Sequence, residues 1–193
     1  MKKVKIFGLA LMAAFGLTYC NSANKTSEEK DSLKTADVME ETQDMIKDSA
    51  DAQGDEPKLV YDLVESMYGG ITVMKQGETN GASPAVKKLA AKLDKEHTKL
   101  TDDLKALATK KGWALPTGES MDDKEKRDDL AKKTGNDYDK AWLEALADRH
   151  ETNIKKLEDA KPNDPDLKMA GQKGLPKIKE LLSEIESVQK QVK

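Results

Sequence analysis

Residues 83–112 read SPAVKKLAAKLDKEHTKLTDDLKALATKKG. The apolar positions Val86, Ala90, Leu93, Leu100, Leu104 and Leu107 recur by four and three, and His97 takes the step between Leu93 and Leu100. That is the inward seam of a helix packed in a bundle. Ser83-Pro84 supplies a cap and then a residue whose missing N–H is harmless at that position. Lys110-Lys111-Gly112 supplies cations and then a glycine, which suits a helix C-terminus. The seam is therefore complete except for one polar residue. The chain has one further histidine, His150, and it lies on a second seam of the same kind.

Working outward, a first bundle helix is expected from Glu56-Pro57, with Val60, Val64, Met67, Ile71 and Met74 on its seam and Asn80-Gly81 at its end. Gly69-Gly70 interrupts it at about 1 kcal/mol per glycine relative to alanine, which calls for a bend or a close neighbour. Beyond Gly112 a long connection over 113–136 holds a short, almost wholly charged helical stretch at 122–133, with Leu130 and Ala131 to bury. A third helix, capped by Asn136 or Asp137, carries Leu143, Leu146, His150, Ile154 and Leu157 inward, flanked by Trp142 and Ala147. Asp164-Pro165 opens the last helix, whose seam is Leu167, Gly171, Gly174, Ile178, Leu181, Ile185, Val188 and Val192, with a kink expected at Pro176. No stretch alternates as a strand would. The expected fold is all-α: a four-helix bundle over 56–193 with short loop, long crossover between helices two and three, and short loop, which is ferritin-like connectivity.

The 193 residues suffice for one domain of ordinary size. Both phenylalanines, Phe7 and Phe15, fall near the N-terminus, so the core must be built from Leu, Ala, Val, Ile and Met with Trp113 and Trp142. Residues 1–20 read as a lipoprotein signal: Lys2, Lys3 and Lys5, an apolar run over 6–17, then Tyr19-Cys20. Cys20 is the only cysteine and the expected lipid attachment point, giving a membrane partner; the alternative is an ordinary secretory signal cut nearby, with Cys20 lost or left as a free thiol. Asn21 after it suits an outer-membrane protein facing the periplasm. Residues 21–55, with Leu33, Ala36, Met39 and Ile46 weakly spaced, read as a tether or a weak docking helix. Loss of the three signal lysines moves the formal charge from -3 to -6. An acidic domain of this kind has no electrostatic footprint for nucleic acid, and one cysteine makes neither a disulfide scaffold nor a zinc ribbon.

Four motifs carry a resemblance: Ser83-Pro84-Ala85-Val86-Lys87, Asp94-Lys95-Glu96-His97-Thr98-Lys99, Tyr138-Asp139-Lys140-Ala141-Trp142-Leu143, and Asp148-Arg149-His150-Glu151, with Leu175-Pro176 as a further match. Over about 59–188 the chain resembles a family of exported bacterial proteins of unknown function with a ferritin-like four-helix domain. The resemblance implies a metal site. The acidic residue common in that family's first helix is replaced here by Gly70 or Thr72, and a histidine common after the Leu-Pro pair by Leu181.

The residues themselves offer one candidate centre. His97 lies thirteen residues beyond Pro84 and His150 thirteen beyond Asp137, so parallel helices would put both imidazoles at one height. Asp94 precedes His97 by three residues, imitating the carboxylate-x-x-His element of di-iron bundles, whereas Ala147 stands at the equivalent place before His150. Glu65 is as far from the Gly81 connector as His97 is, sixteen residues. His97, His150, Glu65 and Asp94 are the expected ligands of one zinc or iron ion with open positions. The competing reading is a pair of neutral core histidines, hydrogen-bonded to Asp94, Glu65 or each other and setting helix register. The chain shows no nucleophile elbow, phosphate loop or cysteine nucleophile. The expected function is a membrane-tethered cell-envelope domain that binds one metal ion or is structured through its histidines, without turnover. The alternatives are a metal-dependent oxidase or peroxide-handling enzyme, and a structural or partner-binding helical module whose protein partner the sequence does not name.

Overall fold

The computed structural model describes residues 28–192, and these are all-helical. The expected export signal and lipid attachment point, residues 1–20, lie outside the described residues. The six helices are α1 (Glu28–Gln53), α2 (Asp55–Asn80), α3 (Pro84–Lys111), α4 (Met121–Ala131), α5 (Gly135–Asp159) and α6 (Pro165–Gln189). The expected ends hold for α3 and for the start of α6, whose helix stops at Gln189, short of the expected seam residue Val192. Ser83 Oγ accepts from Val86 N at 3.2 Å, Gly112 takes the left-handed conformation with φ 69°, and Asp164 Oδ1 accepts from Asp166 N and Leu167 N at 3.0 Å. The cap expected at Asn136 or Asp137 is displaced: α5 begins at Gly135, with Thr134 in the capping position and no side-chain cap bond. α6 continues through Pro176 as one helix.

Contacts between helix ends fix the directions. Asp139, near the start of α5, accepts from Ala82 N at 2.7 Å and Ser83 N at 2.8 Å, so α3 and α5 start at the same end and run parallel. At the other end Lys110 and Lys111, closing α3, pair with Asp166 and Asp164, opening α6. Glu56, opening α2, accepts from the backbone N–H groups of Asn163 and Asp164. α2 and α6 therefore run opposite to α3 and α5. Each of these four helices packs against two others, α2 on α3 and α5, and α6 on the same two. α3 and α5 thus face each other across a diagonal.

Along that bundle the core falls into two apolar halves. One holds Met74, Leu93, Trp142, Leu146, Leu181 and Ile185. The other holds Val60, Val64, Ala108 and Leu167, with Leu104 and Trp113 packed on them. On α3 the first half ends at Leu93 and the second resumes at Leu104; on α5 the first ends at Ala147. Between them lie the buried polar residues His97, Thr101, His150 and Asn153.

Of the two readings offered for residues 21–55, the helical one describes 28–53. α1 packs on α2, and Gly54 at φ 115° breaks the two apart. What holds it is mostly polar. Gln43 donates to Glu119 O at 3.2 Å and accepts from Thr117 N at 3.1 Å, and Gln53 donates to Gly112 O at 3.2 Å and accepts from Ala114 N at 2.9 Å. Two glutamines ten residues apart therefore grip the connector that follows α3. Ala50 is fully buried while Val38 and Met45 stay exposed, which accounts for the weak apolar pattern.

Candidate functional site

The diagonal brings the two histidines together. Their ring centroids are 4.8 Å apart, edge to face at 71°, and the side chains are 5% and 1% exposed. Each Nδ1 lies on the carbonyl one turn earlier in its own helix, His97 on Leu93 O at 3.0 Å and His150 on Leu146 O at 2.7 Å. A carbonyl can only accept, so each neutral ring carries its proton on Nδ1 and its lone pair on Nε2. His150 Nε2 is buried and has no hydrogen-bond partner. Burial holds both imidazoles neutral: His97 is pushed down to about 3, with the facing His150 adding to the effect, and His150 to about 4.

The two carboxylates assigned to this centre from sequence do not join it. α2 is antiparallel to α5, and Arg149 and Asn153 both meet Ser66, so the seam residue of α2 level with His150 is Met67, buried at 3%. Glu65 lies one residue past the Val64 seam position, about 100° round the helix. It lines a separate cavity of about 800 Å³ beneath α1, with Glu40, Lys47 and Tyr68, and burial raises its pKa. Asp94 is met by Thr98 Oγ1 at 3.5 Å. Among the described residues, no three His, Cys, Asp or Glu side chains form a group able to hold a metal ion.

The polar layer holds more than the histidines. Arg149 makes a two-pronged ion pair with Asp123 of α4, at 2.6 and 3.2 Å, and donates to Ser66 O at 2.9 Å. Ser66 Oγ lies 3.2 and 3.1 Å from the two amide atoms of Asn153. Gly69 is the reason this fits: a Cβ there would lie 2.3 Å from Asp123 Oδ2. Of the two explanations offered for Gly69-Gly70, close approach is the one the packing uses. The sequence alone did not single out Arg149, Asp123, Ser66 or Asn153 as a cluster, because α4 brings Asp123 from a stretch that reads as a solvated charged face. A basic residue one position before a seam histidine and a glycine pair on a facing helix were the available signals.

A family profile described as a domain of unknown function, DUF4142, matches residues 24–188. The chain belongs to the DUF4142 family. The matched span takes in α1, so in this DUF4142 domain α1 is part of the matched unit. Several motif residues acquire structural tasks here. Asp139 caps the loop into α3, Trp142 donates to Val73 O at 2.8 Å, Arg149 pins α4, and His150 faces His97. No curated protein and no solved structure matches the chain. Among the described residues of this DUF4142 chain, no helix is long and apolar enough to cross a membrane.

Proposed function

We propose that this chain is a lipid-tethered, ferritin-like four-helix domain of the bacterial cell envelope, anchored through Cys20, which holds one transition-metal ion on His97 and His150 without turnover of its own. The observation that carries the metal reading is the unpartnered, buried Nε2 of His150 beside the His97 ring. A metal-bound histidine nearly always donates its other ring N–H to a carbonyl or carboxylate, and both rings here already do so through Nδ1. The ferritin-like reading is supported by helix directions and by the long crossover between α3 and α5, which is the single-crossover arrangement of such bundles. The tether reading rests on the N-terminal sequence.

The test is metal content and metal-linked stability of the purified chain. Zinc or iron(II) at a hundred times its dissociation constant raises stability by about 2.7 kcal/mol, and His150→Ala abolishes that gain. A wild-type melting curve unmoved by either ion would overturn the metal reading. A second reading, in which the two histidines are a neutral contact that sets helix register, is favoured by the lack of any third ligand among the described residues; it is the reading that such a result leaves standing. Access argues against an oxidase, since neither histidine lines either of the two large cavities. For the tether, Cys20→Ser is expected to release the protein from the membrane fraction, and unchanged fractionation would defeat it.

A further inference from the structure

Beside the apolar cluster beyond the histidine layer, the bundle leaves an open groove. It is half open to solvent, about 1190 Å³ in volume, and lies between α2, α3, α5 and the first half of α6, with Leu63, Leu100, Leu104, Leu157 and Ile178 as its apolar floor. Its origin is legible on α6. From Leu167 to Ile178 the helix places Ala170, Gly171 and Gly174 along the cavity, and a Cβ built on either glycine meets nothing within 4 Å. A groove of this size, open to solvent on one side, is larger than most small-molecule sites.

The rim is charged with one dominant sign. Lys99, Lys161, Lys168 and Lys173 border the cavity, are exposed, and make no ion pair among the described residues. The other borders are already matched: Lys177 with Glu96, and Asp166 with Lys110 and Lys111. Asp103 is the one rim carboxylate left without an ion pair among the described residues. Unpaired lysines along the edge of a largely apolar groove complement an alkyl chain that ends in an anion.

We propose that this groove binds a single long-chain fatty acid, its alkyl chain lying along Gly171 and Gly174 and its carboxylate meeting the lysine rim at Lys168 and Lys173. The proposal is independent of the histidine pair, which does not line the cavity. Glycine on α6 then has a purpose. Each costs about 1 kcal/mol of helix propensity against alanine, and in exchange the groove stays open for the chain.

The test is titration calorimetry of the full chain with dodecanoate, dodecanol and dodecyltrimethylammonium below their aggregation concentrations. Dodecanoate is expected to bind one to one and at least tenfold more tightly than the cationic amphiphile at low salt. The pair Gly171→Leu and Gly174→Leu fills the cavity where there is room, and leucine is the better helix former, so the variant keeps its helix content by circular dichroism and loses dodecanoate binding. Lys168→Glu with Lys173→Glu weakens dodecanoate at least tenfold while leaving dodecanol unchanged. Equal affinity for all three amphiphiles, binding of several molecules per chain, or full binding by the folded leucine variant would each overturn the proposal. So would a chain that sediments as a dimer and loses the dimer, but not dodecanoate binding, when the glycines are filled.

Discussion

Gly77 has Trp142 where its side chain would go: a Cβ there would lie 2.4 Å from the indole ring, which is fully buried. Gly77→Ala is therefore expected to destabilise the fold by about 1–3 kcal/mol through overpacking, measured by urea denaturation with tryptophan fluorescence. Gly171→Ala, in open space on α6, should move stability the other way by about 0.5–1 kcal/mol. The same substitution thus reports opposite surroundings. At the histidines the expected variable is pH. Both rings are held neutral in the folded chain, at about 3 for His97 and about 4 for His150, against 6.5 unfolded. The unfolded state binds more protons between those values, so the metal-free protein should keep its stability above pH 6.5 and lose it as pH falls toward 3 to 4. The slope is up to about 1.4 kcal/mol per pH unit for each histidine. Replacing both by leucine should flatten that part of a stability-against-pH curve, while the carboxylate-driven loss at lower pH remains.

At the scale of elements, two hydrogen-bonded clasps do what apolar seams do elsewhere. Asp139→Ala leaves Ala82 N–H and Ser83 N–H without their carboxylate and is expected to cost about 2–3 kcal/mol, with faster amide exchange confined to the loop that opens α3. Gln43→Ala with Gln53→Ala should speed exchange at Ala114 and Thr117 while global stability changes little, because the clasps fix α1 to the connector rather than to the core. Elements held by periodic apolar faces, α2, α3, α5 and α6, were legible in the sequence because burial imposes a 3.6-residue spacing on them. α1 was only half legible. Its anchors are glutamines whose partners are backbone groups 59 to 76 residues away, and no local pattern encodes such a partner. The cap of α5 was misplaced by two or three residues for a similar reason: Asp139 serves the neighbouring helix, so the local run of Asn136 and Asp137 was a poor guide to where α5 starts.

Across the whole molecule, the equal depth of His97 and His150 was readable from their spacing after Pro84 and Asp137, given parallel helices. The ligands around them were not. Counting residues from the Gly81 connector finds the right height on α2 but not the right side, so it selected Glu65 where the inward residue is Met67. Depth is linear in sequence, whereas facing depends on a rotation of about 100° per residue, and an error of one position turns a ligand out of the core. The cavity was hidden in the same way: Gly171 and Gly174 were read as seam positions, and that they face open space depends on where α2, α3 and α5 lie.

The parallel run of α3 and α5 has a consequence for how the chain assembles. α2–α3 and α5–α6 are hairpins with short turns, so each can form early from local contacts, whereas bringing them together closes the long connection over 112–134 and pays its loop entropy last. The histidines touch only across that late interface. Kinetically, His97→Ala and His150→Ala should therefore accelerate unfolding and leave the refolding rate nearly unchanged, while Leu89→Ala within the first hairpin slows refolding. The layer that divides the core is then the seal of the folded state: the last contact made and the first one released.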